Sequence, residues 1–413
     1  MKKMTNWEEL QWRGLVKDVA GENIEDLINN KSITFYWGTD PTADSLHLGH
    51  YSSLVTAKRL MKMGHKPILL CGGATGRIGD PRPTAEREII SIDVLNHNIE
   101  CIRKQIDTIF DGNAKLVNNY DWFKGYEFLD FLRDVGKYIN VNYMLNKDII
   151  NRRLETGITY AEFSYMLIQG YDFLNMYRKM NCVMQVEGSD QWGNITTGID
   201  LIRKIDGKEA YAFTMPLILD SNGKKFGKSE GNALWLDKDK TSSYALYQYL
   251  INTDDAKVLE YLKVFTFLTP EEILDVMDRH NKEPHLRIAQ ETLAKCIITD
   301  LRGGEEEYTK ARDISKALFS EDIKNLSSED VVNSLSGVKN VLVYEGNIVD
   351  VLVDAKVFSS KREARELITG NALSINNKKV NDVNYIISKN DLIDNKIVVI
   401  KKGKKNYFIG KFN

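Results

Sequence analysis

Cysteine is scarce in this chain: Cys71, Cys101, Cys182 and Cys296 are four residues among 413, no two closer than thirty positions. With no CxxC pair, neither a zinc knuckle nor a thioredoxin-type redox site is expected, no resident metal site is read from the sequence, and the thiols are expected to be reduced and structural. Long apolar runs are missing too. None approaches the roughly 18 residues a membrane span needs, so no membrane association is expected. The opening Met1-Lys2-Lys3-Met4-Thr5-Asn6-Trp7-Glu8-Glu9 has no apolar stretch for a secretory signal, and a cytoplasmic location is the expectation. A large charge of one sign is also absent, with a formal net charge of −2.

That small net charge conceals an asymmetry. Residues 350–413 hold 13 Lys/Arg against 7 Asp/Glu, so the last stretch carries +6 and the first 349 residues −8. A basic tail on an acidic body predicts an anionic partner, nucleic acid first, with a merely solvated basic surface as the alternative. At 43% apolar and 28% charged residues, the composition excludes disorder, collagen and coiled coil as whole-chain descriptions. The length suggests two or three domains at roughly 100–200 residues each.

The first half alternates short apolar runs with helical spacing. Ile33–Trp37, Pro67–Cys71, Lys115–Asn119, Cys182–Val186 and Ala212–Ile218 read as strands; Gly49–Met63 and Asp190–Lys204 read as intervening helices. Such alternation predicts an α/β fold, a parallel sheet covered on both faces, with ligands beyond the carboxyl ends of the strands. From about Thr241 to Leu318 helical spacing dominates, including a helix opened by Thr269 and Pro270. Ser327–Gly337 is more polar and reads as a connector with room for a short helix, and the basic module begins near Ile348.

Five segments carry candidate chemistry. In Tyr36-Trp37-Gly38-Thr39-Asp40-Pro41-Thr42-Ala43-Asp44-Ser45-Leu46-His47-Leu48-Gly49-His50 a strand runs through a loop to a helix start bearing two histidines. Exposed N–H groups and imidazoles there suit phosphate, and Gly49 lets a flat ring approach; capping histidines are the bland reading. Asn222-Gly223-Lys224-Lys225-Phe226-Gly227-Lys228-Ser229 is not a P-loop, because Asn222 stands where the first glycine belongs. It reads as a glycine loop presenting Lys225 and Lys228 to phosphate, or as a solvated basic turn. Cys71–Asp80 is glycine-rich without dinucleotide spacing, and its Asp80 suits an ammonium. Tyr165, Gln169 and Asp172 share one helix face, which predicts a polar pocket rather than a dry core. Glu187–Asn194 is a strand end and helix start where Asp190 suits a ribose diol or simply caps the helix.

Taken together and in this order, these segments resemble the bacterial-type tyrosyl-tRNA synthetases of class I. HLGH at 47–50 is similar to the first class I motif and KFGKS at 225–229 to the second. The blocks YxGxDPTADSLHLGH, GGATGRIGDP, NNYDW, EFSYMLIQGYDF, EGSDQWGNITTG and KFGKSEGNALWLD span most of residues 36–237. The resemblance implies a Rossmann-type parallel-sheet catalytic domain (1–238), an α-helical anticodon-stem-binding domain (239–325), a linker (326–347) and a small α+β alpha-L RNA-binding domain (348–413). It implies L-tyrosine, ATP with Mg²⁺, and tRNA-Tyr as partners, and a homodimer.

By the family pattern, the phenol would meet Tyr36 and Asp172, and the α-amino group Asp80, Tyr165 and Gln169, with Gln185 beside the bound tyrosine. ATP would meet Gly38, Asp40, His47, Gly49 and His50, with Thr42 and His47 at the γ-phosphate. Gly188, Asp190 and Gln191 would hold ribose and adenylate, and Lys225 and Lys228 the pyrophosphate. Lys361, Arg362 and Arg365, on a capped helix, are the expected RNA contacts. Three departures stand out: Trp37 replaces a small residue, Thr39 a frequent aromatic, and Arg82-Pro83-Thr84 a Ser-x-Lys pattern, leaving Arg82 and Arg87 as rival pyrophosphate cations. Two other readings are a tryptophan–tRNA ligase, which the Tyr36 and Asp172 pair disfavours, and a synthetase-like RNA-binding protein without catalysis. The standing His47, His50, Lys225 and Lys228 disfavour the second.

Overall fold

The computed structural model describes residues 3–81, 90–229, 232–318, 320–335, 338–403 and 406–412; the side chains of Asp148, Ile149, Lys228, Ser229, Asn232 and Glu321 lie outside the description. The chain packs as two compact units, 1–241 with 250–303, and 242–249 with 304–413.

The first unit is built on a six-stranded sheet of β1 (Val19–Ala20), β2 (Thr34–Thr39), β3 (Lys66–Cys71), β4 (Lys115–Asn118), β5 (Cys182–Gly188) and β6 (Tyr211–Met215), in the order β1-β6-β5-β2-β3-β4. All pairs are parallel except the short edge strand β1, antiparallel to β6. The expected strands are thus present, and the chain leaves β2 toward β3 on one side while β5 flanks it on the other. That reversal leaves a crevice at the carboxyl ends of β2 and β5. Phe35, Met184, Val186 and Phe213 on one face and Tyr36, Ile68 and Ala212 on the other are buried, as strands covered on both faces require.

The helices end where their chemistry dictates. Helix Tyr160–Met180 opens with Thr159 and Glu162 in a reciprocal capping box and closes on Asn181 in the left-handed region. Its first turn is anchored by buried Glu162, which accepts two 3.0 Å bonds from Arg153. Helix Trp192–Asp206 follows a 3-10 turn at Ser189–Gln191, so it begins slightly later than its spacing predicts. Helices Asp255–Phe265, Pro270–Lys282 and Ile288–Arg302 pack in the same unit as the sheet.

In the second unit a five-stranded sheet runs in the order Lys378–Lys379, Leu373–Ile375, Ile397–Lys402, Asn406–Phe412, Lys339–Val343. Alternate residues of Ile397–Lys402 face opposite ways: Val398 and Ile400 join a core with Ile348, Leu352, Ala364 and Ile368, while Ile397 and Val399 join Leu318, Ile323 and Val331. This differs from the expected cuts at 238, 325 and 347. The stretch 326–347 is not a free connector: Val331 of helix Ser328–Ser334 covers the sheet, and Lys339–Val343 pairs in parallel with Asn406–Phe412. The second apolar face needs a cover, and Leu326, Val331, Val332, Leu335 and Val338 in this polar stretch help supply it.

Candidate functional site

A cavity of about 560 Å³ opens where β2 and β5 end, with Gly38, Thr39, Glu187 and Gly188 among its lining residues. Its walls collect Tyr36, Asp80, Tyr165, Gln169 and Asp172 with Asp40, Thr42, His47, Gly49, His50, Asp190, Gln191 and Lys225. Residues expected to bind one substrate and residues expected to bind the other therefore share one cavity. Gln185 is the exception: it is buried, opposite Tyr36 in the strand register, and not among the lining residues. Arg82 and Arg87 lie outside the described residues, as does the side chain of Lys228.

At one end stands the start of helix Leu48–Lys62. His47 Nδ1 accepts from the Gly49 N–H at 3.1 Å, and His50 Nδ1 from the His47 N–H at 3.3 Å. The bonds assign the proton of each ring to Nε2. The rings stack with centroids 3.8 Å apart. Burial, then the neighbouring His47 and Lys225, pull the His50 pKa down to about 3, so this imidazole is neutral at physiological pH. Two Nε2–H donors beside a helix N-terminus suit a phosphate oxygen.

The lysine loop folds against the same helix. Leu48 N–H donates to Leu234 O and Leu234 N–H to Gly227 O, each at 2.8 Å. Gly227 has φ +83°, and a Cβ there would fall 2.9 Å from Leu48 Cβ and 3.0 Å from Gly49 N, so both conformation and space require glycine. Lys225 is exposed and its neighbour Phe226 is buried, and both are among the residues that line the cavity.

The other end is a hydrogen-bonded network. Asp172, 1% exposed, accepts from Trp122 Nε1 at 2.8 Å and Asn119 Nδ2 at 3.0 Å. Burial pushes its carboxyl up to about 8 even though those two bonds pull it down. Asn119 also donates to Thr75 Oγ1 at 3.0 Å; Thr75 and Tyr165 donate to Asp40 at 2.6 and 2.9 Å. Asp80 accepts from Gln191 Nε2 at 3.0 Å and Asn194 Nδ2 at 3.2 Å. Two buried polar atoms of lining residues, Tyr36 Oη and Gln169 Oε1, have no hydrogen-bond partner among the described residues. Orphaned polar atoms facing a cavity are what a ligand would satisfy.

Sequence reasoning missed Glu187. It lines the cavity, accepts from the Gly38 N–H at 2.6 Å, and burial holds its carboxyl well above the usual range. The available signal was an acid two positions beyond Gln185 on an apolar strand, hence on the same face. Asn119 and Trp122 were visible in NNYDW without a role, and only the fold shows that they hold Asp172.

A parallel sheet with a crevice at its switch point, HLGH at a helix start and KFGKS folded beside it define a class I aminoacyl-tRNA synthetase. Residues 28–320 match the family model for class I tRNA synthetases (W and Y), and residues 330–410 that of the tyrosine–tRNA ligase SYY-like C-terminal domain. The chain is 47% identical over 416 aligned residues to a tyrosine–tRNA ligase of Streptococcus pyogenes serotype M49, covering 98% of this chain and 99% of that one. A tyrosine–tRNA ligase of Streptococcus agalactiae serotype V is 46% identical, with 99% and 100% covered. A C-terminally truncated Aspergillus nidulans mitochondrial tyrosyl-tRNA synthetase superposes with TM-score 0.69 at 32% identity, over 77% of this chain and 95% of that one. The chain belongs to the tyrosine–tRNA ligase family.

Proposed function

We propose that this cavity joins L-tyrosine to ATP, releasing pyrophosphate, and that the tyrosyl-adenylate then passes its acyl group to the 3′ end of tRNA-Tyr. The observation that carries the reading is one cavity with an acidic, partly unsatisfied end (Tyr36, Gln169, Asp172) and an imidazole and lysine end (His47, His50, Lys225).

In the proposed arrangement the phenol lies between Tyr36 and Asp172, the ammonium meets Asp80, Tyr165 and Gln169, and Gln185 stands behind Tyr36. The tyrosine carboxylate then attacks the α-phosphorus in line: one P–O bond forms, the bond to the bridging oxygen breaks, and pyrophosphate leaves with its electron pair. No enzyme nucleophile is needed, so catalysis consists of positioning and charge stabilisation. Thr42, His47, His50 and Lys225 face the developing negative charge, and Lys228 is proposed for the same role from its place in KFGKS. Gly38, Asp40, Gly49, Gly188, Asp190 and Gln191 hold the nucleoside end. Mg²⁺, carried in with ATP, would supply counter-charge to the phosphates beside His47, His50 and Lys225.

Phenylalanine would leave the buried Tyr36 Oη without a hydrogen-bond partner, which disfavours it. Lys361, Arg362 and Arg365, exposed on helix Lys361–Thr369, are the proposed tRNA contacts. A homodimer is proposed from exposed apolar side chains concentrated between β4 and helix Tyr160–Met180: Phe128, Leu129, Val141, Leu154 and Tyr160. The cytoplasm is the proposed location, a compartment that keeps four free cysteines reduced.

Pyrophosphate exchange into ATP, run with each of the twenty amino acids, tests the reading. Exchange with tyrosine alone is expected, lost in Asp172→Ala. Exchange with none removes the ligase reading, and exchange with tryptophan moves the chain to the other branch of its family.

A further inference from the structure

The residue beside the loop lysine is a plug. Phe226 is 3% exposed, its ring centroid 4.5 Å from that of Tyr261 and 4.6 Å from that of Phe265. Both partners project from helix Asp255–Phe265, far along the chain from the loop. Tyr261 makes a second attachment, its hydroxyl donating to Leu219 O at 3.1 Å. Leu219 bridges to Lys225, and Phe226 N–H donates to Ile218 O at 2.9 Å, so hydroxyl and ring grip both arms of the same turn.

The same helix also touches the histidine segment. Phe265 stacks on Tyr51, ring planes 5° apart with centroids at 6.0 Å, and Tyr51 directly follows His50. Tyr51 is fixed in turn by its 2.7 Å bond to Asp300. The end of the helix is clamped by two buried arginines: Arg13 donates to Lys263 O and Leu268 O at 2.8 and 2.6 Å, and Arg59 to Thr266 O at 2.6 Å. One aromatic face therefore touches both the lysine loop and the histidine segment.

We propose that Tyr261 and Phe265 are positioning residues for Lys225, seating Phe226 so that the lysine meets the phosphate groups beside His47 and His50. The inference rests on the reading of Lys225 as a phosphate contact. Tyr261 and Phe265 are not among the cavity-lining residues, whereas Phe226, which they seat, is, beside Lys225. Their influence belongs to the steps that carry polyphosphate and not to tyrosine binding.

The test compares Tyr261→Leu, Phe226→Leu, Tyr261→Phe and Lys225→Ala in the full chain. ATP–pyrophosphate exchange is measured with tyrosine, together with tyrosine affinity by equilibrium dialysis without ATP and the thermal midpoint. Tyr261→Leu and Phe226→Leu are expected to slow exchange about tenfold to a hundredfold, the order of loss for a reacting group misplaced by an ångström, with tyrosine affinity unchanged. Tyr261→Phe, which keeps the ring, is expected to retain most of the rate. Exchange and tyrosine affinity falling together with the thermal midpoint would show a merely structural role and overturn the proposal. So would a wild-type rate in Tyr261→Leu when Lys225→Ala is slow. A wild-type rate in Lys225→Ala overturns the lysine's role itself, and the positioning role with it.

Discussion

At the scale of single residues, burial decides the charge states in this cavity more than pairing does. Unfolded Asp172 loses its proton near 3.8 and the folded group near 8, so the native state holds an extra proton between those values. Stability therefore declines as pH rises from about 4 to about 8 and levels off above. Urea denaturation at pH 5 and pH 8 checks this: Asp172→Asn, which has no carboxyl to ionise, is expected to lose less stability over that interval than the wild type. Glu187 gives a second test. Burial pushes its carboxyl toward the protonated form, and Glu187→Gln, which keeps an acceptor for the Gly38 N–H, is expected to retain near-normal exchange at neutral pH. Glu187→Ala leaves the Gly38 N–H without its acceptor, at a cost of about 1–3 kcal/mol in stability, and is expected to weaken ATP use as well. Equal effects of the two substitutions would show that the charged form matters.

At the scale of elements, the lysine loop is held by a glycine and an aromatic seat. Gly227→Ala forces a side chain into the left-handed region, at roughly 1–2 kcal/mol, and onto Leu48. Slower exchange with unchanged tyrosine affinity is the expected result, measured in the same assays. Helix Lys361–Thr369 makes a separate prediction. Lys361 pairs with Asp350 at 2.7 Å and Arg362 with Glu366 at 3.0 Å, but both pairs are exposed and are worth about 0–1 kcal/mol, so phosphate can displace the carboxylates. Lys361→Ala and Arg365→Ala are each expected to weaken tRNA binding and to lower its salt slope by about one for every phosphate no longer neutralised. Amino-acid-dependent exchange without tRNA should stay normal; a fall there would place the helix outside an RNA role.

At the scale of the whole molecule, the proposed dimer is the property most open to direct measurement. Phe128 and Leu129 are 61% and 76% exposed, an unusual state for adjacent large apolar side chains. Phe128→Asp with Leu129→Asp is expected to shift sedimentation from two chains to one, and an unchanged dimer would move the interface elsewhere. The basic tail belongs to this scale as well. Its +6 balance lies in the second compact unit, whereas the cavity lies wholly within the first.

The chain by itself determined the strands of the parallel sheet, the main helix boundaries there and the placing of HLGH at a helix start. Apolar periodicity, capping residues and turn glycines are local properties, and local sequence reports them. The face shared by Tyr165, Gln169 and Asp172 was legible for the same reason: helical spacing alone places three residues on one side. Only the tertiary structure decided who meets whom. Asp172 takes its bonds from Asn119 and Trp122, 53 and 50 positions away, Glu187 meets Gly38 across 149, and Phe226 is seated by a helix outside every recognised motif. The stretch 326–347 likewise joined a sheet that its polar composition concealed. Periodicity tells which face of an element is apolar or polar, but the residue opposite that face is set by where distant elements pack.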